Sequence, residues 1–141
     1  MSKRIILVVT LLVISLLLSS CIVTSRLINV EISCDEFYEN PHSIRNEFQV
    51  EVGDKITVKL CSNPTTGFQW RYETIGEAAL MEEDHDFEEP EDNGVVGASG
   101  KEVWTFEAVE KGITKVHMEY SQTWEGGEQG EWTYTMIVTA E

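Results

Sequence analysis

Positive charge is what this sequence has least of. Ten lysines and arginines stand against 25 aspartates and glutamates, a net charge of −15 over 141 residues. A chain with that balance has no means of neutralising a phosphate backbone, so nucleic acid is excluded as a natural partner. Electrostatic docking on anionic lipid is disfavoured for the same reason. Histidine is scarce as well, with only His42, His85 and His117. There is no Gly-x-Ser-x-Gly elbow, no His-Glu-x-x-His pair, and no glycine-rich loop leading from a strand into a helix. The common hydrolytic and phosphate-binding signatures are therefore missing. The chain reads as a binding protein rather than an enzyme, with neither metal nor cofactor called for.

Long hydrophobic runs are also absent. The longest, Ile5 to Leu18, is 14 residues interrupted only by Thr10 and Ser15, well short of the ~20 that a transmembrane helix needs. Lys3 and Arg4 precede it and Leu18-Ser19-Ser20-Cys21 follows. A basic start, a short apolar stretch and then small residues form an export signal. The cysteine at its end looks like a bacterial-type lipobox, in which Cys21 is lipidated and becomes the first residue. The alternative is plain cleavage nearby, with Cys21 free or lost. The expected organisation is a lipoprotein signal peptide over residues 1–20, a short lipidated tether over 21–26, and one domain over 27–141. The product would be exported and lipid-anchored to the cell envelope or cell surface. Losing Lys3 and Arg4, the only charges in the first 20 residues, takes the net charge from −15 to −17. Membrane attachment must then come from acyl chains.

Export also bears on the other two cysteines. Cys34 and Cys61 would meet an oxidising compartment, which makes them a disulfide candidate; the alternative is two buried free thiols. A nucleophilic thiol paired with histidine is disfavoured on the same ground.

Period-two alternation dominates the rest of the chain. Phe48, Val50 and Val52 alternate with polar residues, Gly53-Asp54 breaks the run, and Ile56, Val58 and Leu60 resume it, which is the pattern of a β-hairpin. Val116, Met118 and Tyr120 repeat it, as do Trp132, Tyr134, Met136 and Val138. Leu27–Ile32, Phe68–Thr74 and Lys101–Val109 are further strand-like runs. No segment has helical period and length. The expectation is an all-β sandwich of about seven strands. Glu82 to Asp92 carries eight carboxylates around His85. It lacks the spacing of a calcium loop and is expected to be a solvated acidic loop. Asp35 to Asn46 has no assignable role.

Three connections are unusual in composition. Ser62-Asn63-Pro64-Thr65-Thr66-Gly67-Phe68 should be stiff: Pro64 fixes its own φ, Asn63 can bond the backbone ahead of it, and Gly67 permits a positive φ. Gly94 to Gly100, ending in Gly97-Ala98-Ser99-Gly100, has little side-chain bulk. Ser121 to Gly127 carries Trp124 among polar and glycine residues, where alternation gives it no core position; it is a hot-spot candidate. With strands lettered A to G, these are the BC, DE and FG loops, which emerge at the same end of a sandwich.

Asn63-Pro64-Thr65-Thr66-Gly67-Phe68 resembles the first signature loop of the chagasin-type inhibitors of papain-like cysteine peptidases. Gly97-Ala98-Ser99-Gly100 stands where that family has a G-x-G-G stretch, with Ser99 replacing a glycine. Gln122-Thr123-Trp124 stands where it has Arg-Pro-Trp, keeping the tryptophan and losing the arginine and proline. The resemblance runs from about Leu27 to Glu141. It implies a monomeric immunoglobulin-like inhibitor that reversibly occludes the peptidase cleft. Thr65 and Thr66 would lie near the catalytic thiol and the other two loops against the cleft walls. Two rivals come from other classes: a carbohydrate- or surface-binding module using Trp70, Trp104, Trp124 and Trp132, and a purely structural lipoprotein domain.

Overall fold

A computed structural model describes residues 24–40, 43–90 and 97–141. Cys21, the segment before it and His42 lie outside the described residues, as do Gly94 to Val96 of the second loop. Among these residues, eight strands form two four-stranded sheets. They are β1 (Leu27–Ile32), β2 (Ser43–Val50), β3 (Lys55–Ser62), β4 (Phe68–Gly76), β5 (Leu80–Glu88), β6 (Gly100–Ala108), β7 (Gly112–Gln122) and β8 (Trp132–Ala140). One sheet has the order β1-β3-β6-β5 and the other β2-β8-β7-β4. β1 runs parallel to β3 and β2 parallel to β8, and the remaining pairs are antiparallel. The alternation read from the sequence points inward: Trp104 and Phe106 of β6, Val116 and Met118 of β7, and Tyr134, Met136 and Val138 of β8 are all buried. The fold is an all-β, immunoglobulin-like sandwich.

Three expectations need correction. The first is the hairpin. β2 and β3 do not pair at all; β2 lies beside β8 in one sheet and β3 between β1 and β6 in the other. Alternation specifies which face of a strand is buried, not which sheet it joins, and both strands present apolar residues to the same core. The chain crosses between sheets at Glu51–Asp54. Buried Asp54 holds the crossing by accepting from the Glu51 and Arg26 backbone N–H groups at 3.0 and 2.7 Å. Those N–H groups, with the Arg26 guanidinium, keep its carboxyl below the ordinary carboxylate range.

The second correction is that most of the supposed acidic loop, Glu82 to Glu88, belongs to a strand, β5, which the alternation did not reveal. It pairs only with β6 and forms the sheet edge. Charge on an edge strand blocks edge-to-edge association, so acidity here marks position in the sheet. Lys55 and Lys59 of β3 reach over β6 to Glu83 and Glu88. His117, half-buried on β7, meets Thr135 Oγ1 at 2.9 Å.

The third is a six-residue helix, α1 (Cys34–Glu39), which overlaps the start of the stretch that had no role. Its start carries a capping box: Ser33 Oγ accepts from the Glu36 N–H at 3.3 Å, and a Glu36 carboxylate oxygen accepts from the Ser33 N–H at 2.8 Å. That Ser33 N–H, followed by the hydroxyl, holds the Glu36 carboxyl below its usual value. The helix is short and buries only Phe37, so it has no apolar periodicity to read; Ser-x-x-Glu was its one signal.

Cys34, the first residue of α1, is disulfide-bonded to Cys61 near the end of β3, 27 residues on. Closing a loop of that length stabilises the folded state by about 3–4 kcal/mol. The double variant Cys34→Ser, Cys61→Ser is expected to melt roughly 10 °C lower, measured by thermal denaturation without reductant. A shift of a degree or two would mean that α1 stays docked through Phe37 alone.

Candidate functional site

The site begins with the backbone of one connection. Between β3 and β4 the chain makes a single 3-10 turn, Pro64–Thr66. Asn63 precedes it in extended geometry, as a residue before proline must, and its Oδ1 accepts from the Thr65 N–H at 3.2 Å and the Thr65 hydroxyl at 2.6 Å. The Thr66 N–H and hydroxyl both return to the Asn63 carbonyl, at 3.1 and 2.7 Å. Gly67 closes the turn at φ +79°, donating to the Pro64 carbonyl at 3.1 Å. The two threonines are consumed in shaping the turn and remain exposed at its tip.

The turn is then tied to both neighbouring loops. Asn63 Nδ2 donates to the Gly97 carbonyl at 2.8 Å, which joins it to the β5–β6 connection. Gln122 Nε2 reaches the Thr66 carbonyl at 3.4 Å, and the Trp124 ring lies against Gly67 so closely that a Cβ there would sit 2.4 Å from it. Gln122 ends β7 and Trp124 lies in the β7–β8 connection. The three loops form one continuous edge at one end of the sandwich.

Gln122 also organises its own loop. Its N–H donates to the Glu128 carbonyl at 2.8 Å, its Oε1 accepts from the Glu128 N–H at 3.0 Å, and its carbonyl accepts from Gln129 Nε2 at 2.6 Å. The loop that lacks a proline at Thr123 is closed by these bonds instead. Trp124 is left 51% exposed.

Beneath the edge runs a column of aromatic rings. Phe68 stacks on Tyr120 at 5.2 Å, Tyr120 on Trp132 at 5.1 Å, and Trp132 on Phe37 at 5.1 Å. The Tyr120 hydroxyl emerges from this column to accept from the Asn63 N–H at 2.8 Å. A crevice of about 410 Å³ opens beside it, lined by Asn63, Thr66, Phe68, Tyr120 and Trp132 among others.

Of the residues singled out from sequence, Asn63 to Phe68, Gly97, Gln122 and Trp124 are brought together by these contacts. Ala98, Ser99 and Thr123 lie within the same loops and Gly100 opens β6; none of the four supplies these contacts. Two supporting residues were not foreseen. Tyr120 was legible only as an inward strand position. Glu102 accepts from the Ser62 hydroxyl just below the turn, and its signal was a carboxylate in phase with Trp104 and Phe106. The tryptophan row of the carbohydrate-binding reading does not exist: Trp70, Trp104 and Trp132 are buried and Trp124 alone is exposed. Among the described residues no three histidine, cysteine or acidic side chains group to hold a metal ion.

Residues 49–138 match the family model described as Chagasin family peptidase inhibitor I42. Chagasin of Trypanosoma cruzi is 30% identical over 96 residues, covering 64% of this chain and 86% of that protein. Amoebiasin-2 of Entamoeba histolytica is 26% identical over 91 residues, covering 63% and 74% respectively. Among solved structures, a cysteine protease inhibitor from Entamoeba histolytica superposes with a TM-score of 0.66 at 19% identity, covering 83% of this chain and 97% of that one. PbICP-C, solved in complex with falcipain-2, gives 0.57 at 10% identity, covering 81% and 99%. At those identities the two structures speak for the fold.

Proposed function

Because the chain belongs to the chagasin family of peptidase inhibitors, we propose that it is a reversible, non-covalent inhibitor of papain-like cysteine peptidases, acting through the three-loop edge. The observation that carries this reading is the cross-bonding of the Asn63–Gly67 turn to Gly97, Gln122 and Trp124. A wedge that is already bonded into shape loses little conformational entropy when it enters a cleft. The tip presents a closed turn rather than an extended strand, so no scissile peptide is laid across the catalytic pair. Thr65 and Thr66 are placed at the tip, nearest the catalytic thiol, and Trp124 supplies an apolar contact to one cleft wall. The matched family is described as one of peptidase inhibitors, and PbICP-C has been solved in complex with falcipain-2, which fits a papain-like target.

The same proposal covers the N-terminus. Residues 1–20 act as a lipoprotein signal, Cys21 carries the acyl chains, residues 21–26 are the tether and residues 27–141 the inhibitory domain, held at the cell envelope or surface as a monomer. Strand order supports a useful orientation. β1 begins at Leu27, beside Lys55 at the start of β3, whereas the turn follows the end of β3 at Ser62. An eight-residue strand spans about 26 Å, so an anchor at Cys21 would leave the loop edge pointing away from the bilayer.

The test is a titration of papain with the purified protein beside the triple variant Thr65→Ala, Thr66→Ala, Trp124→Ala. Tight inhibition is expected from the wild type and a loss of roughly 100-fold or more from the variant, given that one buried anchor contributes ~2 kcal/mol or more. Papain-like peptidases left fully active at micromolar wild-type protein would end the inhibitory reading.

A further inference from the structure

Glu102 is a buried acid on an inward position of β6, and the inhibitory edge described above does not include it. One of its carboxylate oxygens accepts from the Ser62 hydroxyl at 2.8 Å and from the Trp70 N–H at 3.4 Å. Ser62 ends β3 and is the residue before Asn63; Trp70 lies two residues after Phe68, on β4. β3 and β4 belong to different sheets. A single oxygen thus bridges the two sheets just below the turn and holds both feet of the wedge. The other oxygen faces His85 Nε2 at 3.4 Å, and the His85 ring stacks on Trp104 at 4.3 Å. The bridge is therefore fixed from its outer side as well. A second link lies beside it, where Trp70 Nε1 donates to the Cys61 carbonyl at 2.9 Å.

A carboxylate is an expensive group to bury, and its cost is met only where donors converge on it. Apolar packing would close the sandwich without that cost. We propose that Glu102 is a positioning residue for inhibition, setting the separation of the two strands from which the Asn63–Gly67 turn springs. It acts through Ser62 and Trp70 and does not itself touch the peptidase. The inference rests on the inhibitory reading above and assigns the rigidity of the wedge to a particular buried group.

Rigidity matters for two outcomes. A loosened turn binds more weakly, because ordering it costs entropy. It also visits extended conformations that a peptidase can cleave, so that an inhibitor becomes a slow substrate. Glu102→Ala removes both bonds. Glu102→Gln keeps an acceptor oxygen for Ser62 and Trp70 and places an amide N–H₂ toward His85.

The experiment compares wild type, Glu102→Ala, Glu102→Gln and Ser62→Ala against papain. Each protein is followed for inhibition constant, for cleavage by mass spectrometry over several hours, and for amide exchange at Thr66 and Gly67 without peptidase. Glu102→Ala is expected to inhibit roughly 10- to 100-fold more weakly, the range of one or two lost charge-assisted hydrogen bonds. It is also expected to be cut between Asn63 and Phe68 and to exchange faster at Thr66 and Gly67. Glu102→Gln is expected to stay within about threefold of wild type and uncut, with Ser62→Ala between the two. A folded Glu102→Ala that inhibits normally, stays intact and keeps its amide protection overturns the proposal. If that variant does not fold, wild-type behaviour of Ser62→Ala on all three measures overturns it equally. Failure of the wild type to inhibit would strike the inhibitory reading instead, and amide exchange would still decide whether Glu102 sets the turn.

Discussion

Gly67→Ala is expected to weaken inhibition by about 100-fold or more while lowering the melting point by only a few degrees. Two effects act at this residue. Its φ of +79° is a conformation that costs an L-residue roughly 1–2 kcal/mol. The added methyl would also lie 2.4 and 2.5 Å from two atoms of the Trp124 ring, closer than any real contact. Either the ring swings off the turn or the turn unwinds, and in both cases the two loops no longer form one edge. Loss of an anchoring tryptophan costs ~2 kcal/mol or more of binding, which together with the strain gives the stated factor. Gly126→Ala separates the two effects. Gly126 has φ +80° but open space where a Cβ would go, so it carries the backbone strain without the collision. Its inhibition constant should rise less than tenfold, read in the same papain titration. Equal losses from both substitutions would mean that loop strain alone governs affinity and that the packing of Trp124 on Gly67 contributes nothing.

The sequence makes the sandwich legible because period-two alternation is a direct imprint of a sheet with one wet face. β6 and β8 alternate in burial along their whole length, and β7 does so from Thr114 to Tyr120. The turn at Asn63–Gly67 is legible for a different reason. Proline, asparagine and glycine each restrict or permit particular backbone angles, so five residues carry their own geometry without help from the rest of the chain. What the sequence hides is pairing. β2 and β3 alternate like a hairpin and sit in opposite sheets, because alternation fixes a face and says nothing about a partner. β5 hides behind its charge: an edge strand needs few apolar residues, and acids along it protect the edge.

The cross-bonding of the loops is hidden more deeply still. Asn63 to Gly97, Gln122 to Thr66 and Trp124 to Gly67 join residues 34, 56 and 57 positions apart, and no local pattern encodes such distances. Gln122 and Thr123 illustrate the limit. From sequence they read as losses relative to Arg-Pro-Trp, the removal of a charge and of a conformational lock. In the structure Gln122 closes its own loop through Glu128 and Gln129 and reaches the Thr66 carbonyl. The departure is a different way of fixing Trp124 rather than an absence of one.

Phe37 carries the second large effect. Its ring is fully buried, 5.1 Å from Trp132 in a parallel stack and 5.4 Å from Trp70. Phe37→Ala is expected to destabilise the fold by about 3–5 kcal/mol, the cost of deleting a buried aromatic ring and leaving its cavity. That is a large part of the 5–15 kcal/mol typical of a domain, and it would appear as a clear drop in the urea midpoint at unchanged slope. The effect should not stop at stability. Trp132 stacks in turn on Tyr120, whose hydroxyl fixes the Asn63 N–H. Removing the ring at the bottom of this column frees Trp132 to shift and lets Tyr120 follow. The variant should therefore inhibit more weakly even at temperatures where it is fully folded, by roughly tenfold, the equivalent of one loosened hydrogen bond at ~1.4 kcal/mol. Tyr120→Phe tests the same link from the other side: it deletes the hydroxyl while keeping the stack. If the column transmits order to the turn, Phe37→Ala and Tyr120→Phe combined should weaken inhibition by less than the product of their separate effects, because each disables the same contact. Fully multiplicative losses would show that Phe37 stabilises the sandwich without reaching the loop edge, and α1 would then be a clamp for the disulfide end of β3 alone.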